Sequence, residues 1–171
     1  MKDGVFYVGQ HVVYGVHGVC LIEDIRDISL SSALPPQKYY ILKQIKKGSV
    51  IYVPCSNGSG SGKLRSLVSP EDIDRMLYDI RGRRMEWNIN RKERTVQFRE
   101  ILNKGLSPDL ILMIRCISNQ KAEYLESKKK LSGSDSDILQ SAENMMNQEF
   151  AFVLGKNEED IPEFVKETLE A

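Results

Sequence analysis

Ser69-Pro70-Glu71-Asp72-Ile73-Asp74-Arg75-Met76-Leu77-Tyr78-Asp79-Ile80 marks the point where the hydrophobic period of this chain changes. A serine, a proline at the first helical position and an acid three residues beyond the serine make a helix start, close to a reciprocal capping box. Ile73, Met76, Leu77 and Ile80 then recur at helical spacing and line one face. Upstream, the apolar residues come in short β-branched runs. Val12-Val13-Tyr14 leads to a turn at Gly15 to Gly18, followed by Val19-Cys20-Leu21-Ile22. Tyr39-Tyr40-Ile41-Leu42 follows the Pro35-Pro36 loop, and Val50-Ile51-Tyr52-Val53 is closed by Pro54. Four or five short strands in this span suggest a small twisted sheet or an SH3/Tudor-like barrel.

Downstream the reading is helical throughout. Gly82 and its flanking arginines break the first helix, and a second is expected from about Asn88 to Lys104, with Gly105 as its C-cap. Ser107-Pro108-Asp109 opens a third, with Leu110, Met113, Ile114 and Ile117 on one face. Ser134-Asp135-Ser136-Asp137 is read as opening a fourth that ends at Gly155, and Ile161 to Leu169 as a short fifth. The expected class is α+β: a small N-terminal Tudor/SH3-like β domain at residues 1–68, then a C-terminal all-α helical domain at 69–171.

The 171 residues are 41% hydrophobic and 28% charged, as a folded chain requires. No run approaches the length of a membrane span, and MKDGVFYVGQ has no apolar signal-peptide core. The three cysteines, Cys20, Cys55 and Cys116, are widely spaced, which favours reduced thiols and a cytoplasmic protein over a disulfide framework. A formal charge of zero conceals strong polarity. Arg81 to Lys104 carries eight Lys/Arg against three Glu, a net of +5; Ser134 to Ala171 carries ten acids against two lysines, a net of −8. The sole tryptophan, Trp87, lies in the basic stretch among Arg83, Arg84, Arg91, Lys92 and Arg94. Clustered cations beside one large flat ring suit phosphates and bases.

The order and spacing of these residues resemble the CarD/CdnL family of bacterial transcription regulators. The N-terminal part of the resemblance is Val8-Gly9-Gln10-x-Val12-Val13-Tyr14-x-x-His17-Gly18-Val19, with Tyr39-Tyr40-x-Leu42 and Val53-Pro54 downstream. The C-terminal part is Trp87 at a helix entrance, Lys130-Leu131-Ser132 and Ala142-x-x-Met145-Met146-x-x-Glu149. The resemblance implies a Tudor-like domain that binds the RNA polymerase β subunit and a helical domain that contacts promoter DNA. It also implies that Trp87 wedges into the minor groove and stabilises the open complex. Relatives have basic residues facing the polymerase where this chain has Ile28 and Tyr52, with Arg26 nearby. The expected polymerase contact is therefore Arg26, Ile28 and the strand Val50, Ile51, Tyr52 and Val53. The expected DNA contacts are Trp87, Arg83, Arg84, Arg91, Lys92 and Arg94, weak and without sequence specificity alone.

Each feature has a plainer reading. A tryptophan commonly packs on a core, and charge runs are often solvated helix faces in which i,i+4 glutamates cancel part of the field. Gly58-Ser59-Gly60-Ser61-Gly62-Lys63 fails as a phosphate loop, because Asn57 stands where glycine is needed and Leu64 where Ser/Thr is needed. His11, His17, Cys20 and Cys55 lack metal-finger spacing, and Met145-Met146 reads as core filling. No nucleophile and base share a supporting motif. The expectation is a non-enzymatic transcription regulator with no cofactor, metal, membrane or small-molecule substrate. The competing expectation is a protein-interaction adaptor that never touches DNA.

Overall fold

The computed structural model describes residues 6–56 and 63–171, so residues 57–62 of the Gly/Ser loop and the first five residues lie outside the described part. Contacts divide the chain into two units, Met1–Leu67 and Val68–Ala171. An antiparallel five-stranded sheet comes first and five helices follow.

The N-terminal unit contains β1 (His11–Tyr14), β2 (Val19–Ile28), β3 (Gln37–Gln44), β4 (Val50–Pro54) and β5 (Leu64–Ser66), in the spatial order β4-β3-β2-β1-β5. Gly15 (φ +48°) and Gly18 (φ +75°) bracket the tight turn between β1 and β2, where a side chain at either position would be strained. Buried Gln44 closes this corner by donating from Nε2 to the His17 carbonyl at 2.6 Å. Register places Val12 opposite Cys20, Ile22 opposite Leu42, Leu42 opposite Ile51 and Tyr40 opposite Val53. These cross-strand pairs build the core of the unit.

The second strand runs six residues beyond Ile22, where the sequence reading stopped. A register shift between Ile22 and Asp24 explains why. Ile22 and Ile25 are three apart and would face opposite sides of a regular strand. One extra residue restores parity, so that Ile25 pairs with Tyr40 as Ile22 does with Leu42. The Asp24 carboxylate accepts the Ile25 N–H at 2.8 Å within this bulge.

The C-terminal unit contains α1 (Pro70–Ile80), α2 (Arg91–Lys104), α3 (Pro108–Glu126), α4 (Gly133–Leu154) and α5 (Ile161–Glu170). The first helix starts with the anticipated capping box: Ser69 Oγ accepts from Asp72 N–H at 3.1 Å, and Asp72 accepts from Ser69 N–H at 3.0 Å. That backbone N–H is the main cause of a lowered Asp72 carboxyl pKa. The contribution is present above the ordinary carboxylate pKa and fades as pH falls through the lowered one. Ser69→Ala is expected to cost this unit about 1 kcal/mol in chemical denaturation at neutral pH.

α3 is the central helix. Leu110, Ile111, Leu112, Met113 and Ile114 are consecutive and all buried, which requires neighbours around its whole circumference. α4 starts at Gly133, capped by Ser132, rather than at the Ser134-Asp135-Ser136-Asp137 run. Asp135 is thereby placed inside the first turn, where its backbone N–H reaches Ser132 Oγ at 3.2 Å. α2 starts at Arg91 behind Asn90 rather than near Asn88, so Trp87 lies in the loop before the helix. Glu149 is buried, and one of its carboxylate oxygens accepts the Val68 N–H at 3.0 Å. Among the described residues no helix is long and apolar enough to cross a membrane.

Candidate nucleic-acid and polymerase interfaces

In the helical unit the loop between α1 and α2 carries the tryptophan. α1 ends with Arg81 N–H on the Tyr78 carbonyl at 3.2 Å and Arg83 N–H on the Ile80 carbonyl at 2.9 Å, with Gly82 at φ +74° between them. The chain then runs without regular structure to Asn90, whose side chain caps Lys92 and Glu93 N–H. Glu93 is bound back onto the loop, accepting from Asn88 and Asn90 side-chain amides at 3.1 Å each. This carboxylate holds the loop.

Trp87 is half-buried. Its ring centroid lies 6.1 Å from that of Phe98 and 6.3 Å from that of Tyr124, edge to face with the latter. The Arg94 guanidinium covers it, 4.0 Å from the ring centroid. Arg94 corrects the sequence reading. It is only 5% exposed and is not free to meet phosphate. Nε and one terminal nitrogen donate to the two carboxylate oxygens of Asp135 at 3.1 and 2.7 Å, and the other terminal nitrogen donates to the Asn88 carbonyl at 2.7 Å. One guanidinium thus joins the Trp87 loop, α2 and α4. Asp135 is 1% exposed. Burial alone would raise its carboxyl; hydrogen bonds from Arg94 and Ser132 outweigh this and hold it below the ordinary value.

The remaining DNA-contact candidates, Arg83, Arg84, Arg91 and Lys92, are exposed on this loop and the first turn of α2. With Arg94 internal, seven Lys/Arg of Arg81–Lys104 stand against three Glu. The sequence reading missed Ile89. This branched apolar side chain is two residues from Trp87 and 89% exposed. Its neighbours are polar, so no periodicity singled it out.

In the N-terminal unit the strand order leaves β4 at one edge, where among the described residues one side of its backbone has no neighbouring strand. Register assigns the polymerase-contact candidates to faces. Tyr52 pairs with Ile41, Ile41 with Asp24, and Tyr39 with Arg26, so their side chains share the face opposite the core cluster. Ile28 shares it too, two residues beyond Arg26. Val50 and Tyr52 are 50% and 53% exposed there. Arg26 makes a solvent-exposed pair with Asp24 at 3.5 Å. Val53 is wholly buried, and Ile51 packs on the same core. Their side chains turn toward the core, so a contact at these two positions would run through the backbone, the mode that pairing at a strand edge uses.

Against known families, residues 6–67 match the CarD-like/TRCF RID domain. The N-terminal unit is a CarD-like/TRCF RID domain. The RID domain is the RNA polymerase-interacting domain of CarD/TRCF-like proteins, which makes this a transcription-related protein that interacts with RNA polymerase. No curated protein matches the chain. The matched span ends before the Trp87 loop, which belongs to the helical unit.

Proposed function

We propose that this protein is a non-enzymatic transcription regulator that bridges the RNA polymerase β subunit and promoter DNA and stabilises the open complex. The observation that carries the reading is the Trp87 loop: a partly buried ring and an exposed Ile89 between exposed arginines, in a chain that carries an RID domain. The RID domain would dock on polymerase through β4 by strand addition, with Val50 and Tyr52 as side-chain contacts. The loop would enter the minor groove, where apolar side chains partly unstack a base step at a cost of a few kcal/mol that backbone contacts offset. Arg83, Arg84, Arg91 and Lys92 would hold phosphates. A factor that binds open better than closed complex shifts the equilibrium by its differential affinity and no more.

The test is promoter open-complex lifetime with cognate polymerase, with and without the protein. A longer lifetime supports the bridge; polymerase binding with unchanged lifetime supports the alternative, a protein-interaction adaptor without DNA contact. The packing of Trp87 against Phe98, Tyr124 and Arg94 favours that second reading. A separate arm tests the phosphates. Arg91→Glu with Lys92→Glu is expected to reduce DNA association at low salt and to lower the salt slope by roughly two. A defect that does not vary with salt would exclude phosphate contacts at these positions.

A further inference from the structure

Charge in the RID unit is sorted along its strands. Met1–Leu67 carries eight Lys/Arg against four Asp/Glu, and neither residues 4–22 nor residues 28–70 contain an acid. Among the described residues its carboxylates are Glu23, Asp24 and Asp27, all on β2. Glu23 pairs with Lys43 at 3.5 Å, Asp24 with Arg26 at 3.5 Å, and Asp27 sits opposite Lys38 in the register. Lys46, Lys47 and Lys63 belong to the acid-free stretch and are exposed.

Topology gathers these three lysines at one end of the sheet. Val13 pairs with Val19, Cys20 with Gln44, Lys43 with Val50 and Tyr14 with Leu64, so β1 and β3 finish at the end where β2, β4 and β5 begin. Contacts join the connections there. Gln44 Nε2 donates to the His17 carbonyl at 2.6 Å, and Ile45 N–H donates to the Val19 carbonyl at 3.1 Å. A Cβ at Gly15 would lie 3.5 Å from Lys63 Cδ. The turn that carries Lys46 and Lys47 is fixed by Gln44 N–H on the Ser49 carbonyl and Gly48 N–H on the Gln44 carbonyl, each at 2.8 Å. Asp24 lies five residues along β2 from Val19, roughly 15 Å at the rise of a strand and well beyond the screening length of about 8 Å at physiological salt. The cationic end is therefore little affected by the carboxylates of Asp24 and Asp27.

We propose that this end of the RID unit is a docking surface for the sugar–phosphate backbone of duplex DNA, with Lys46, Lys47 and Lys63 meeting phosphates. Ammonium groups on flexible stems suit a diffuse row of phosphates, whereas the fixed carboxylates of an acidic protein are met best by the planar fork of arginine. Contact of this kind is independent of base sequence. It is distinct from the Trp87 loop and does not depend on that loop reaching DNA.

Fluorescence anisotropy of a labelled mixed-sequence duplex, titrated with the full chain over a salt series, tests this. Lys47→Gln with Lys63→Gln is expected to weaken association roughly tenfold at low salt and to lower the salt slope by about two. Lys38→Gln, which removes a cation from the other end of the sheet, is expected to leave the slope at its native value, and polymerase binding is expected to be unchanged in both variants. Native affinity and slope in the double variant would overturn the proposal. So would an equal loss per charge in Lys38→Gln, which would make the effect one of net charge. Lost polymerase binding with DNA association intact would also overturn it and assign this end to an acidic protein surface. Arg91→Glu with Lys92→Glu is read on the same duplex, so failure of the helical loop and failure of this surface are separate results. Should Lys63→Gln alter far-ultraviolet circular dichroism, Lys47→Gln alone decides, through a slope lowered by about one.

Discussion

Arg94→Ala is expected to destabilise the helical unit by about 3–5 kcal/mol, the usual consequence of removing one partner of a buried ion pair. Loss of attraction is only part of the cost. Asp135 would remain buried with the Ser132 hydroxyl donating to its carboxylate, the Asn88 carbonyl would lose its guanidinium partner, and Trp87 would lose the cation over its ring. For a domain of this size the change lowers the melting temperature by roughly 15–25 °C, readable by near-ultraviolet circular dichroism. Its pH dependence identifies the cause. In the native protein the Asp135 carboxyl is lowered, so its contribution is present above the ordinary carboxylate pKa and lost as pH falls through the lowered value. In Arg94→Ala burial acts without the guanidinium, the carboxyl is raised, and the variant regains stability relative to the native protein in acid. Adding Asp135→Asn should recover part of the loss at neutral pH. A melting temperature within a few degrees of native, or a deficit independent of pH, would show that the pair does not hold this unit together.

The second large effect concerns DNA. Trp87→Ala is expected to shorten the open-complex lifetime at least roughly tenfold, equivalent to about 1.4 kcal/mol, within the few kcal/mol at stake when an apolar wedge unstacks a base step. The ring also packs on Phe98 and Tyr124, so this variant alone confounds contact with folding. Ile89→Ala separates the two. That side chain is 89% exposed, so its truncation should leave unfolding within about 0.5 kcal/mol of native. If the loop enters the minor groove, Ile89→Ala shortens the lifetime severalfold with stability unchanged and polymerase binding intact. If Trp87→Ala shortens the lifetime only in proportion to its loss of folded protein, and Ile89→Ala does nothing, the tryptophan is a packing residue and the adaptor reading stands.

Local rules made much of the fold legible. Ser69-Pro70-Glu71-Asp72 was decisive because a capping box is a contact over three residues, and the Gly15–Gly18 turn is similarly short-range. β2 was shortened in the reading because Glu23 and Asp24 interrupt its apolar run, whereas a bulge carries the strand through them to Ile28. β5 has only Leu64, Arg65 and Ser66, too few for alternation to register. The start of α4 was misplaced because Ser132 and Ser134 are chemically equivalent caps, and choosing between them takes Asp135, whose partner Arg94 is 41 residues away. That same distance hid the internal role of Arg94 among its exposed neighbours. The cations at 83, 84, 91 and 92 carry the same charge in the same stretch; only packing sets Arg94 apart. Trp87 lies outside any helix, so periodicity had no bearing on which way it faces.

The cation above the indole has an optical consequence. The chain has one tryptophan against seven tyrosines, and that indole belongs to the helical unit. Selective excitation at the red edge of its absorption therefore observes one unit while the RID domain stays dark. Its emission is sensitive to the charge 4.0 Å from the ring and to any change in the ring's partial burial. The protein thus carries an intrinsic, single-site fluorophore at the loop of interest, and no chemical label has to be introduced there.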